Sequence, residues 1–337
     1  MRIGSGIRRF VLAALVLLTP AAAQSAGGKT PHRHPGVRRF VVVCESDMKH
    51  PDFGMLMVCP AHAHGPPKQA VAKLKRLLST HRRTVPSTIW VCRANQMRTL
   101  ITFAPLVDRV VVNPFVFTSK KPPGKDDLLW PAFDHPHVNY LREVRRNTAG
   151  TALLACIDVD GESHHFSKRS ASFEEIKWLA YAAVGANFQG IVWRGDLDRL
   201  TWGNRLRQIG VGLRRHAADL GQATPVKWVT DRERKPMSAL CSVNTLFVIL
   251  LTPEYLATVG VHKTMVLPTT IPEVHGELEL APPAGVDVTH AHTLMGLPAP
   301  LHRAAGRIRV NYAFKGPGKI LVFRLSRRDD SLEGAEK

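Results

Sequence analysis

Apolar runs and amphipathic stretches alternate through the first two thirds of this chain. Residues 40–44, FVVVC, are apolar and lead into the polar Glu45-Ser46-Asp47. Pro67 opens a stretch in which Ala70, Val71, Leu74, Leu77 and Leu78 share one face and lysines and arginines the other, which predicts a surface helix. Residues 88–91 read as a second strand, 95–103 as a short helix, and 109–112 as a third strand ending at Asn113-Pro114. Residues 120–136 form a polar, proline-bearing excursion. Then come a helix over 138–146, a fourth strand over 152–159 and a polar loop over 160–169. Short apolar runs without polar alternation suit strands covered on both faces, as in a parallel sheet. Strand and helix in turn are the pattern of an α/β fold.

The stretch SFEEIKWLAYAAVGANFQGIVWRG, residues 172–195, organises this pattern. Ser172 and Glu175 have the spacing of a capping box, in which each side chain bonds the other residue's backbone N–H. Ile176, Leu179, Ala180, Ala183 and Val184 recur at helical spacing and give one apolar face. Gly185 stands where a left-handed helix end favours glycine. Residues 190–193 form a fifth apolar strand ending at Arg194-Gly195, and Leu206, Ile209, Leu213, Ala217 and Leu220 mark a final helix. After about residue 222 the pattern changes. Strand-like runs at 246–251, 264–267, 277–280, 307–312 and 319–325 are separated by Pro and Gly, which predicts a small all-β domain, a sandwich.

The N-terminus adds a compartment. Arg2, Arg8 and Arg9 precede the apolar residues 10–18, and Ala21-Ala22-Ala23 offers a cleavage site, the layout of a signal peptide. The expected location is secreted or periplasmic, with no stable membrane span after cleavage. The formal charge of +19 favours anionic partners, and in this compartment the expected partner is a polysaccharide, neutral or acidic. No nucleic-acid-binding motif accompanies the charge, so nucleic acid is not expected. Five cysteines leave at least one unpaired in a monomer, with Cys44, Cys92 and Cys156 placed as buried strand residues and one disulfide from Cys44 to Cys92 or Cys59 open. Among the H-x-H pairs, Cys59-Pro60-Ala61-His62-Ala63-His64 is the best cluster, yet it lacks a neighbouring carboxylate, and no metal site is assigned. The chain has no G-x-G-x-x-G, P-loop, G-x-S-x-G or H-E-x-x-H, so no cofactor is expected.

The alternation and the central stretch resemble the glycoside-hydrolase-type (β/α)8 barrels related to the family 42 β-galactosidases and other barrels with a D-E-P motif. The residues that carry the resemblance are Glu175, Trp178, Tyr181, Ala183, Val184, Gly185-Ala186, Gly190-Ile191 and Trp193. In that group a strand ending in D-E-P-D carries the acid/base glutamate at the end of barrel strand four. Cys44-Glu45-Ser46-Asp47 keeps the glutamate and the last acidic position. A later D-P-Y corresponds to Asn113-Pro114-Phe115, with only the proline kept. Five strand–helix steps are visible where such a barrel closes with eight.

The resemblance thus implies a fold of class α/β, a partial or degenerate (β/α) barrel followed by a small all-β sandwich domain. The expected order is a signal peptide over 1–23, a linker over 24–36, the barrel-like domain over 37–222, the sandwich over 223–328 and a charged tail over 329–337. An oligomer or a partner would then complete the barrel.

Glycoside hydrolysis uses two carboxyl groups about 5 to 9 Å apart across the scissile bond. The resemblance makes Glu45 the acid/base. Asp160 is chosen as its counterpart from Asp158, Asp160 and Glu162 at the end of the fourth strand. Trp193 at the strand end is expected to stack on a sugar ring, with Arg93, Asn95, Asn113 and Asp47 as further substrate contacts. The function expected is a secreted glycoside-hydrolase-like protein acting on or binding polysaccharide. The alternative is an inactive glycan-binding or envelope scaffold protein.

Overall fold

The computed structural model describes residues 39–44, 56–58, 67–80, 87–91, 96–112, 128–131, 136–148, 150–159, 172–232, 237–252, 255–259, 262–266, 273–304 and 307–327. The α/β part runs β1 (Val41–Cys44), β2 (Leu56–Val58), α1 (Pro67–Thr80), β3 (Ser87–Val91), α2 (Gln96–Phe103), β4 (Arg109–Val112), β5 (Leu128–Pro131), α3 (Pro136–Asn147), β6 (Ala152–Asp158), α4 (Phe173–Gly185), β7 (Gly190–Arg194), α5 (Gly203–Arg215) and α6 (Ala217–Gln222). From there on, among the described residues, every element is a strand. These are β8 (Thr224–Pro225), β9 (Val229–Asp231), β10 (Met237–Cys241), β11 (Thr245–Leu251), β12 (Tyr255–Val259), β13 (His262–Val266), β14 (Glu273–Leu280), β15 (Val286–Thr293), β16 (His302–Ala304), β17 (Arg307–Lys315) and β18 (Gly318–Arg327). Residues His34–Lys337 form one compact unit.

Six strands make one parallel sheet in the order β1-β7-β6-β4-β3-β2. Sequence order is kept from β2 to β7, and the first strand then returns to lie beside the last. That cyclic order is how a (β/α) barrel brings its ends together. The ladder is open between β1 and β2 among the described residues. The fold is therefore a mixed α/β fold with a partial barrel and additional antiparallel sheets.

This pairing corrects one equivalence drawn from the sequence. Cys44-Glu45-Ser46-Asp47 was matched to the end of barrel strand four. Short right-handed crossovers place successive strands side by side, so a fourth strand lies between the third and the fifth. β1 instead pairs with β7, with Val41 opposite Gly190 and Cys44 opposite Trp193. It occupies the place of a first strand.

The excursion over 120–136 contains β5, which leaves the parallel sheet and pairs antiparallel with β12, beside β13. The remaining strands form two antiparallel sheets, β15-β18-β11-β10-β8 and β16-β17-β14-β9. β11 lies between two cores and is buried at all its positions. Phe247, Ile249 and Leu251 pack with the residues of α4, whereas Leu246, Val248 and Leu250 pack with Leu278 of β14 and Val310 of β17. The layers thus run parallel sheet, α4, five-stranded sheet, four-stranded sheet.

Helix α4 is capped as its sequence predicts. Glu175 N donates to Ser172 Oγ at 3.2 Å, and Ser172 N donates to Glu175 Oε2 at 2.8 Å. Two other expectations for this helix change. It is buried on more than one face, because sheets lie on both sides; Trp178 and Leu179 are fully buried, while Glu174 and Lys177 keep partial exposure. Gly185 remains helical, and the left-handed residue is Asn187, with φ 62°. A Cβ on Gly185 would sit 3.1 Å from Ser238 Oγ, so glycine here serves the close approach of α4 to β10. Likewise a Cβ on Gly190 would meet Leu154 Cδ2 and Val41 O at 2.5 and 2.6 Å, within the parallel sheet. The final helix is broken at His216 into α5 and α6.

Candidate functional site

In a sheet of this kind, groups at the carboxyl ends of the strands face the crevice where ligands bind. β1, β7 and β6 are neighbours, and their last residues are Cys44, Arg194 and Asp158. Side chains alternate along a strand. Val43, Cys156 and Val192 form a small cluster with Val111 and Leu154 on the face turned away from the helices. Two residues further along, Asp158 and Arg194 fall on that same face.

They also stand opposite each other in the ladder. Arg194 Nε lies 3.6 Å from Asp158 Oδ1, and the side chains are 20% and 6% exposed. The strand ends are tied again by Val159 N, which donates to Arg194 O at 2.9 Å. A nearly buried carboxylate thus sits beside a guanidinium with some access to solvent. Such a pair can hold a polar ligand by several hydrogen bonds, since the guanidinium has five donors and the carboxylate only acceptors. The ion pair with Arg194 fixes the orientation of the Asp158 carboxylate. Nucleophile, base or ligand anchor are the roles that suit Asp158.

Of the residues selected from sequence, Trp193 is the one described, and its expected role is corrected. It lies next to the end of β7 but is 2% exposed and belongs to the core on the helix side of the sheet, with Val42, Ile157 and Ile191. Alternation turns it away from the face that carries Asp158 and Arg194, and a packed indole offers no ring face to a sugar. Glu45, Asp47, Arg93, Asn95, Asn113 and Asp160 lie outside the described residues, as do Glu162, Cys59, Cys92, His62 and His64. Cys156 is buried within the sheet. His292, from another H-x-H pair, stacks on His216 with ring centroids 5.8 Å apart.

Asp160 is selected from the sequence rather than Asp158, and Arg194 is not selected. A readable signal existed. Counting back by twos from either residue reaches Cys156 and Val192, a run confined to one face of each strand.

No protein-family model and no curated protein sequence matches the chain. Among solved structures, the chain is similar to an α-amylase from Geobacillus thermoleovorans, with 13% identity and a TM-score of 0.50, covering 84% of this chain and 62% of that one. It also matches an Anoxybacillus α-amylase at 11% identity and TM-score 0.46, covering 83% and 60%. A GH27 β-L-arabinopyranosidase from Geobacillus stearothermophilus follows at 10% and 0.45, covering 82% and 58%. The chain spans about 60% of the length of these hydrolases. The first similarity bears on fold alone and agrees with a glycoside-hydrolase-type barrel. The other two carry no argument.

Proposed function

We propose that this chain is an extracytoplasmic glycoside-hydrolase-like protein that engages polysaccharide at the carboxyl ends of β1, β7 and β6. The observation that carries the reading is the Asp158–Arg194 pair at the end of a parallel, barrel-ordered sheet. In this reading Asp158 is the carboxylate that faces the glycan, replacing Asp160. Glu45, the next residue in sequence after the end of β1, is the acid/base. Its claim rests on following the strand beside β7 and no longer on a strand-four motif. Arg194 orients Asp158 and donates to sugar hydroxyls or to the carboxylate of an acidic sugar. The basic charge of the chain favours an acidic polysaccharide as the partner.

Binding without hydrolysis is the second reading, favoured by the ion pairing of Asp158 with Arg194. One experiment separates the two. The purified protein is incubated with a panel of neutral and acidic polysaccharides, and both binding and released reducing ends are measured for wild type, Glu45→Gln and Asp158→Asn. A hydrolase loses about 100-fold or more of its rate in Glu45→Gln, the usual weight of a general acid. A binding protein releases no reducing ends, and Asp158→Asn weakens its binding. Full binding and full activity in both variants would sink the site. Binding of the acidic members should weaken as salt is raised.

A further inference from the structure

A second cleft lies at the opposite ends of the same strands. α3 leads into the start of β6, and α4 into the start of β7, so the C-terminal ends of these helices lie at the amino ends of the strands. Between them and β8 and β10 is an open cleft of about 380 Å³. That is near the lower end of the range for small-molecule sites. Its walls include Arg142, Arg145 and Arg146 of α3, Asn187 after α4, Pro225 of β8 and Ser238 of β10. Among the described residues that line it, none is Asp or Glu.

The three arginines are spaced i, i+3 and i+4, so they share one helix face. Like charges so placed repel. Arg142 Nη2 donates to Ser238 Oγ at 3.1 Å and to Met237 O at 3.4 Å. Arg145 Nη1 donates to Thr151 O at 2.7 Å and to Gln189 Oε1 at 3.3 Å. Gln189 is itself fixed, since its Oε1 also accepts from Leu153 N at 3.0 Å and its Nε2 donates to Asn187 O at 2.7 Å. Arg142 is therefore set in place by neutral groups that leave its charge intact.

The arginines are also not needed to cap α4. The carbonyls of Ala182, Ala183 and Val184 accept from the backbone N–H groups of Ala186, Phe188 and Asn187. Burial, and then the charge of Arg146, push the Arg142 pKa below its ordinary value, a cost that an arriving anion would offset.

We propose that this cleft is a binding site for a small oxyanion, a carboxylate-, sulfate- or phosphate-bearing molecule of about monosaccharide size. Arg142 and Arg146 supply the direct contacts, because planar guanidinium forks match such oxygens in pairs. The site is separate from the Asp158–Arg194 rim and does not depend on the function proposed for it.

The test is calorimetric titration of the full-length protein with inorganic phosphate, sulfate and glucuronate in turn, at low and at raised salt. At least one of them is expected to bind saturably and more weakly at raised salt, and the strongest tells which oxyanion the cleft prefers. Arg146 is exposed at the end of α3, so Arg146→Gln is expected to fold and to weaken binding by about tenfold, the loss of one charge-assisted contact. Arg142→Gln should do the same, while Arg199→Gln, on the far side of β7, should bind as wild type does. Failure of all three anions to bind overturns the proposal, as does equal affinity in wild type, Arg146→Gln and Arg142→Gln.

Discussion

Helices α4 and α5 have the same length, yet they are built on different terms. α4 lies between two sheets, with even Glu175 and Tyr181 buried, and desolvation raises the Tyr181 pKa. α5 shows the ordinary amphipathic division. Leu206, Ile209 and Leu213 are inside, while Asn204, Arg205 and Arg207 are outside. Its inner side meets β1, where a Cβ on Gly210 would lie 3.2 Å from Val42 Cγ1, and its Arg214 Nη1 donates to Val42 O at 3.3 Å. The difference is one of position in the fold. α4 joins the α/β part to the β-sheets, whereas α5 closes the outer side of β1. Damage to α4 should therefore destabilise both parts at once, and damage at the end of α5 should loosen a single junction.

The largest effect is expected at the centre of α4. Trp178 is fully buried, and its Nε1–H donates to Thr252 O at 3.0 Å, which ties the helix to the segment after β11. Trp178→Ala leaves a large cavity and an unpaired carbonyl. A loss of about 3–5 kcal/mol follows from the usual cost of removing a buried aromatic. Urea unfolding followed by far-UV circular dichroism would measure it, with helix and strand signals lost together. If the β-sheets kept their own transition at the wild-type midpoint, α4 would not be the joint described here.

A smaller effect is expected at the start of the same helix. Ser172→Ala removes the acceptor of Glu175 N and leaves the reciprocal bond from Ser172 N to Glu175 without its partner interaction. Loss of such a cap costs about 1 kcal/mol. The measurement is again the urea midpoint. A variant as stable as wild type would mean that packing alone sets where α4 begins.

This capping box also marks how far the sequence can be read. Ser172 and Glu175 are local to each other, so three residues suffice to predict the bond. The strand over Gly190–Arg194 is likewise legible, because a short apolar run after a helix has few alternatives. The place of β1 is not legible, since it depends on a ladder to β7 from the other end of the α/β part. β5 is not legible within the polar, proline-bearing excursion for a similar reason, as its partner β12 belongs to the later strands. Gly185 reads as a left-handed helix end because the crowding atom, Ser238 Oγ, belongs to β10, far along the chain. At the site, Asp158 was within reach of a period-two count, and so was the inward packing of Trp193. Asp160 stands out in the sequence because Asp160-Gly161 begins a loop, and Trp193 because it ends a strand, yet neither position fixes which face the side chain takes.

The smallest effect is expected at the end of α5, and it is one of pH. His216 caps α5 where α6 begins, is 7% exposed, and meets the Phe247 ring edge-on as well as stacking on His292. Burial lowers its pKa below the ordinary 6.5, with His292, Arg324 and Arg215 acting in the same direction and Asp219 against them. The unfolded chain therefore binds this proton more readily than the folded one. The stabilising contribution is complete above pH 6.5 and is lost as pH falls from there through the lower folded-state value. His216→Gln removes the titration. The difference in Tm between wild type and variant should thus shift in favour of the variant as pH is lowered from neutral to about 5, the range in which a histidine titrates. The opposing pull of Asp219 keeps the effect modest. Parallel pH profiles for the two proteins would show that the His216 charge does not govern the junction between α5 and the five-stranded sheet.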